Sequence, residues 1–422
     1  MSRRLFFALL GSVRHGRIEI EEAGRTHCFG PANAHPRVKL KVHHPSCWRS
    51  LLRGSTGMAE SSAHGLWDCD DLVGLVQIAA REMRRYDGPR ELLLPLQRLA
   101  RLVPHNSRAG ARRNIAAHYD IGDELFSLFL DETMTYSSAL FERPDMDLEE
   151  AQHAKIDQAC RRLELRPDDH LLEIGSGWGA LAIHAAGRYG CRVTTTTISQ
   201  AQFDTATRRV REAGLERQVT VLLSDYRDLS GRFDKLVSIE MIEAVGWQFF
   251  ELFFRRCAEL IMPEGLILLQ AITIEESAYE AEKASRSFIN KHIFPGGCLP
   301  SLDVIARMTA RAGLEPLGGD DLTDDYAETL LRWRETFIAR AGEAAELGYD
   351  RRFRRLWEMY LCYVEAGFRE RRIGDYQLLF GGAGYLEPGS RSNARSVTAS
   401  SRNAGPREAS LANAVLPPGP ST

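Results

Sequence analysis

The sequence predicts an α/β protein: a parallel sheet with helices between its strands, a smaller N-terminal module before it and a disordered tail after it. Three observations carry that prediction. Between residues 101 and 384, short apolar runs alternate with helical segments, the pattern of a parallel sheet. One run, His170 to Ile174, breaks into a glycine-rich turn followed by a helical stretch, as ligand-binding α/β units do. From residue 385 the composition collapses to Ser, Ala, Arg, Asn, Pro and Gly, too poor in apolar side chains to offset the entropy of ordering.

In chain order, residues 1–100 form the accessory module, expected to be α+β or mostly helical. Its first segment, M-S-R-R-L-F-F-A-L-L-G, is too short to span a bilayer, and no cleavage site follows. Arg17 to Glu21 and Val38 to Val42 alternate as strands do, and Asp68 to Met83 suggests a helix. Residues 81–113 make a basic connector with nine arginines against Glu82, Asp87 and Glu91, and leucines between the charges. It reads either as a solvated helix and linker or as an amphipathic surface for anionic lipid head groups.

The main domain, 101–384, has candidate strands at His170–Ile174, Val193–Thr197, Val219–Leu223, Lys235–Ile239 and Leu266–Ala271. A helix over Asp147–Leu163 opens with an acidic first turn, as the helix dipole favours. No internal repeat is present. Residues 385–422 form the tail.

Composition narrows the class. The 422 residues carry 54 Lys+Arg against 57 Asp+Glu, a net charge of −3, which argues against a dedicated nucleic-acid binder. With 44% hydrophobic and 26% charged residues, the chain is neither a multi-span membrane protein nor wholly disordered. None of its eight cysteines forms a C-x-x-C pair, so reduced thiols of a cytoplasmic protein are expected, with no metal site.

The strongest local signal is L-L-E-I-G-S-G-W-G, with Gly175, Ser176, Gly177, Trp178 and Gly179. Glycines allow unusual dihedrals and a close backbone approach to a ligand. A dinucleotide fingerprint looks similar, but the spacing here is G-x-G-x-G, and Glu173 precedes the first glycine by two residues. That variant suits S-adenosylmethionine, whose sulfonium and amino group are cationic and need no pyrophosphate cradle. The second strand ends in Thr197, Ile198 and Ser199 without an acid, and Gln202 stands one helical turn on to bind ribose hydroxyls. The third strand ends in Ser224, Asp225 and Tyr226, placed for an adenine edge. Each polar residue alone reads as a cap; three strand ends in order read as a cofactor site.

Beyond these residues the chain resembles the cyclopropane-fatty-acyl-phospholipid synthase and mycolic acid cyclopropane synthase family. The resemblance rests on N-I-A-A-H-Y-D-I-G-D-E-L-F from Asn114, M-T-Y-S-S-A-L-F from Met134, E-E-A-Q-H-A-K-I-D from Glu149 and the glycine segment. It continues through S-I-E-M-I-E-A-V-G from Ser238, I-F-P-G-G-C-L-P-S from Ile293, D-Y-A-E-T-L-L-R-W from Asp325 and E-A-G-F-R-E-R from Glu365. The match is collinear over about residues 110–380, and W-D-C-D-D-L from Trp67 resembles the accessory region of the long bacterial forms.

The resemblance implies a Rossmann-like class I S-adenosylmethionine-dependent methyltransferase that adds a one-carbon unit at the double bond of an unsaturated acyl chain, on membrane phospholipid in the long forms. It implies a peripheral membrane location, gives the accessory module a lipid-binding role and leaves a homodimer open. Tyr136 and Ser137 would contact the methionine end of the cofactor, alongside the glycine loop and the strand ends already named. A bound bicarbonate would act as base, held in the family by Cys, Glu, His, an Ile backbone group and Tyr. Here Glu243, Ile272 and Tyr326 match three of these, and Tyr119 matches another tyrosine near the anion. The chain departs at the Cys position, which is Ser138, and at the His position, which is Gln270. Both can hydrogen-bond an oxyanion, but neither titrates as a thiol or imidazole. Ring closure therefore competes with a methyl- or methylene-branched product. A further family cysteine falls at Val364, and Cys362 reads as structural. A soluble small-molecule methyltransferase and an inactive lipid-binding homologue are the other readings.

Overall fold

The protein is described from a computed structural model that covers residues 1–85, 122–284 and 287–386. Tyr119, the connector from residue 86 on, the boundary expected between residues 100 and 101, and the tail from residue 387 lie outside the described residues. The chain divides into two units that interleave along the sequence. The first gathers Met1–Gln152, Ser277–Cys298 and Leu322–Gly374; the second gathers His153–Glu276, Leu299–Asp321 and the chain from Asp375 on.

The first unit carries a four-stranded sheet of β1 (Arg17–Glu22), β2 (Arg25–Phe29), β3 (Arg37–Val42) and β4 (Trp67–Cys69), in the order β2-β1-β3-β4. Ala23 and Gly24, both at positive φ, close the β1–β2 hairpin as a tight two-residue turn requires. The alternation read from the sequence has a physical outcome: Ile18, Ile20, Val38 and Leu40 are buried while their charged neighbours face outward. The helix Leu72–Arg84 starts where Asp71 accepts a hydrogen bond from the Gly74 amide at 2.8 Å. Two long helices, Thr323–Ala339 and Arg351–Arg369, bury Trp333, Phe337, Trp357 and Phe368. Three connector arginines are engaged here. Arg81 forks onto Glu370 at 2.7 and 2.8 Å, Arg84 donates to the carbonyls of Glu370 and Arg371, and Arg85 pairs with Glu82.

The second unit is built on seven strands: β5 (His170–Ile174), β6 (Arg192–Thr197), β7 (Val219–Leu223), β8 (Phe233–Ile239), β9 (Ile261–Ile274), β10 (Glu315–Asp321) and β11 (Ile373–Gly381). Their order is β10-β11-β9-β8-β5-β6-β7. The run from β9 to β7 is parallel, and β10 lies antiparallel to β11. All five anticipated strands form, with β9 longer at both ends. β10 and β11 were not anticipated: Pro316, Gly318 and Gly319 erase the apolar alternation of β10, and β11 follows a helix after a three-residue gap. One core face packs Ile156, Ala159 and Leu163 with Leu181 and Ala185 over Leu171, Val193 and Leu268. Strand order reverses at β5, with β6 and β7 on one side and β8 and β9 on the other. Ligands bind at the carboxyl ends of strands beside such a switch point.

Candidate active site

The glycine turn leaves β5 at that switch point. Gly175, Gly177 and Gly179 all have positive φ, at 103°, 48° and 93°. The amides of Gly175 and Ser176 both donate to the Thr196 carbonyl, at 3.0 and 2.9 Å, which pins the turn to the end of β6. A Cβ on Gly177 would meet nothing within 4 Å, whereas one on Gly175 would touch Met241 at 3.3 Å. The turn is thus open on one side and packed on the other against the segment after β8. Two residues upstream, Glu173 is buried, and its Oε2 has no hydrogen-bond partner. Burial pushes its carboxyl up to about 8, against the opposing pull of Thr195 and Lys155.

The next strand ends are ordered by their own side chains. Thr197 Oγ1 donates to Gln202 Oε1 at 2.8 Å and accepts from the Ser199 amide at 3.1 Å; Ser199 caps the helix Gln200–Glu212. Ile198 lies between them in the turn. Gln202 is buried, its carbonyl oriented by Thr197 and its amide nitrogen left as the donor end. After β7, Asp225 accepts three hydrogen bonds from Arg227, two from the side chain at 2.8 and 2.6 Å and one from the backbone at 3.0 Å. The Tyr226 hydroxyl is buried without a partner.

On the other side of β5 lies a cluster of acids. Glu240, at a positive φ of 45°, and Glu243 follow β8. The Ile272 amide donates to Glu243 Oε1 at 2.5 Å, while Glu243 Oε2 is buried with no partner. Burial first, then the neighbouring Glu240, raises the Glu243 carboxyl to about 8. Gln270, fully buried on β9, donates through Nε2 to Glu240 Oε1 and to Asp375 Oδ2, both at 2.8 Å. Its Oε1 accepts from Gln377 Nε2 at 3.0 Å. Asp375 is fully buried and pushed well above the ordinary range by desolvation, then by repulsion from Glu240 and Glu243. Lys155, also buried, draws both Asp375 and Glu173 back toward the ionised form.

The remaining anticipated residues belong to the first unit. The Tyr136 hydroxyl shares a 2.7 Å hydrogen bond with Tyr360, and its ring stacks on Trp333 at 5.3 Å. Ser137 receives Gln152 Nε2 on its carbonyl at 2.8 Å. Ser138 is fully buried and donates to the Ala139 carbonyl at 2.9 Å. Tyr326 stacks on Phe368 at 4.4 Å. Cys362 is buried, and desolvation raises its thiol far above the usual range, which makes it a poor nucleophile. No cluster able to hold a metal occurs among the described residues.

Sequence reasoning missed Glu240, Asp375, Gln377 and Lys155. Glu240 and Lys155 stand inside quoted motifs, so a second acid three residues before Glu243 was a usable signal. Asp375 and Gln377 sit on the strand that carried no sequence signal.

S-adenosylmethionine fits what is present: a buried carboxyl oxygen without a partner, Glu173 Oε2, for a cationic group, and open space over Gly177 for the close approach of a ligand. The strand order and the glycine turn at its switch point define a class I S-adenosylmethionine-dependent methyltransferase.

The sequence model of the mycolic acid cyclopropane synthetase family matches residues 106–378, and the chain belongs to that family. It is 40% identical over 358 residues to tuberculostearic acid methyltransferase UfaA1 of Mycobacterium tuberculosis, covering 82% of this chain and 83% of that protein. It is 35% identical over 350 residues to cyclopropane-fatty-acyl-phospholipid synthase of Escherichia coli, covering 82% of this chain and 89% of that one. Among solved structures, mycolic acid cyclopropane synthase CmaA1 complexed with SAH and CTAB superposes with a TM-score of 0.60 at 33% identity, over 66% of this chain and 99% of that chain. The fold class, the enzyme class and the cofactor expected from the sequence all stand.

Proposed function

We propose that the protein adds a one-carbon unit at the double bond of an unsaturated fatty acyl chain carried by membrane phospholipid. The observation that carries this reading is the buried, unpartnered Oε2 of Glu243 on the same sheet edge as the glycine turn. An alkene that accepts a methyl group becomes a carbocation and must lose a proton inside a dry site, so it needs a positioned acceptor there. The names of the two curated relatives, which cover most of their own length, support a fatty acyl substrate.

When bound, S-adenosylmethionine supplies an electrophilic methyl group. Gly175, Ser176, Gly177, Trp178 and Gly179 would take its close approach, Thr197, Ile198, Ser199 and Gln202 its ribose side, and Asp225 with Tyr226 its adenine. A cation at this sheet edge, whether a sulfonium or a carbocation, would draw the raised carboxyls of Glu173, Glu243 and Asp375 toward the ionised form that stabilises it. Proximity and alignment supply most of the rate for the transfer, and a carboxylate then accepts the proton.

A bilayer location draws support from the helix Ser2–Leu10. Met1, Leu5 and Leu9 form an exposed apolar ridge at 107%, 54% and 56% exposure, with exposed Arg4 beside it. No helix among the described residues is long and apolar enough to cross a membrane.

A second reading concerns the product. Gln270 is a locked, non-titrating amide, and the relative at 40% identity is named as a methyltransferase; both favour a branched chain over a ring. The test is to incubate methyl-labelled S-adenosylmethionine with vesicles of mono-unsaturated phospholipid and analyse the acyl chains by mass spectrometry. Label with a gain of one CH2 per chain is expected, and fragmentation distinguishes ring from branch. Cofactor binding without label in acyl chains refutes the reading.

A further inference from the structure

The resemblance implies a bicarbonate base held by five groups, and the hydrogen bonds of this chain do not fit it. An anion needs donors. Both N–H bonds of the Gln270 amide already point at carboxylates, Glu240 on one side and Asp375 on the other. The amide cannot turn its oxygen away to free them, because Gln377 holds Oε1 at 3.0 Å. The Ile272 amide is committed to Glu243 Oε1. In the first unit, Ser138 donates to its neighbour's carbonyl. In place of donors, the end of β8 and the adjoining strands hold three acids, Glu240, Glu243 and Asp375, with Glu240 and Glu243 both repelling negative charge at Asp375. A second anion in such a place is opposed by like charge.

We propose that this protein works without bicarbonate: the Glu240–Gln270–Asp375 network fills the place of the bound anion, and Glu243 Oε2 takes the proton. The proposal rests on the acyl-chain reading above. The step balances within the chain and its substrate. A C–H bond breaks, either on a carbon beside the cationic carbon, where its electron pair closes a C=C bond, or on the transferred methyl group, where it closes the ring C–C bond, and the proton forms an O–H bond on Glu243. Water removes that proton after the product leaves. Glu243 is the acceptor because its Oε2 is buried and unpartnered while the Ile272 amide anchors Oε1, and because its side chain is only half-buried at the strand end, whereas Asp375 lies fully buried within β11 with Oδ2 held by Gln270. Asp375 and Gln270 are positioning residues. They fix the amide in an orientation that presents no donor to a free anion.

The experiment uses the full chain with vesicles of dioleoyl phosphatidylethanolamine and phosphatidylglycerol, in carbon-dioxide-scavenged buffer with and without added bicarbonate. Wild-type methyl incorporation and product ratio are expected to agree within about twofold between the two conditions. The proposal predicts that Asp375→Asn, which keeps the shape but introduces an N–H donor into the network, lowers incorporation ~10-fold and makes it responsive to bicarbonate, while cofactor affinity by calorimetry stays within about threefold. That calorimetry also shows that the variant is folded, and a bicarbonate response is not something a purely structural role would create. Stimulation of the wild type by bicarbonate, about fivefold or more, overturns the proposal, as does an Asp375→Asn enzyme with wild-type rate, product ratio and indifference to bicarbonate. A wild type that binds the cofactor yet labels no acyl chain in either buffer fails differently, because it removes the functional reading itself.

Discussion

Glu243→Gln separates the stability of the acid cluster from its chemistry. Glutamine keeps the length of the side chain and an oxygen for the Ile272 amide, and removes only the ionisable proton. In the folded protein burial raises this carboxyl to about 8 from the ordinary 4.5 of a free glutamate. Between those two values the native state holds a proton that the unfolded chain has released, so wild-type stability falls as pH rises through that window. The slope is about 1.4 kcal/mol per pH unit for one such group. Over roughly three units the limit is about 4 kcal/mol, and neutralising Glu243 also relaxes Glu240 and Asp375, which brings the expected difference to about 2–4 kcal/mol. The glutamine variant lacks this slope. Paired urea unfolding curves should therefore show near-equal stability at about pH 5, with the variant the more stable by that amount at about pH 8. Turnover on unsaturated vesicles should fall about 10²–10⁴-fold at every pH, the usual range for loss of a general base. In the wild type, turnover should rise with pH up to about 8, since only the ionised carboxyl accepts a proton. A pH-independent stability difference would mean that Glu243 ionises like an exposed acid, and the buried-acceptor argument would be wrong.

Three further outcomes follow from other parts of the structure. Gly177→Ala places a Cβ in open space at positive φ; it should cost only about 1 kcal/mol of stability yet weaken cofactor binding about tenfold or more, and calorimetry showing unchanged affinity would remove the glycine turn from the cofactor site. Cys362→Ala should retain turnover within about threefold, because a buried thiol held in the protonated form is no nucleophile; loss of label transfer from a variant with wild-type stability would reopen a covalent route. Replacing Leu5 and Leu9 together by Asp should reduce sedimentation with anionic vesicles several-fold without altering cofactor affinity, and unchanged sedimentation would take the N-terminal helix out of membrane contact.

What the sequence disclosed, and what it did not, follows from the range of the forces involved. β5 to β9 were legible because apolar and β-branched runs leave a local mark, buried on both faces in His170–Ile174 and over Leu266–Ala271 of β9. The glycine turn was legible because positive φ at three alternate residues leaves almost no choice but Gly. β10 and β11 were not, because an edge strand with Pro316 and two glycines owes its pairing to its partner rather than to its own pattern. The interleaving of the two units was equally hidden: Ser277–Cys298 and Leu322–Gly374 rejoin the first unit through packing that no local spacing encodes.

The acid network illustrates the same limit at the level of chemistry. Reading Gln270 as a substitute for a histidine made it a weaker ligand for an anion, since a side chain was compared with a side chain. Its hydrogen bonds change the comparison. With two acids and Gln377 around it, the amide serves as a bridge between carboxylates, and the charge it organises has the opposite effect on an anion from the one expected. Asp375 is 105 residues away in sequence, on a strand without a pattern of its own. A substitution at a catalytic position is therefore intelligible only together with the residues that satisfy its donors, and here those residues turn an apparent loss of a ligand into a different way of placing negative charge beside a cation.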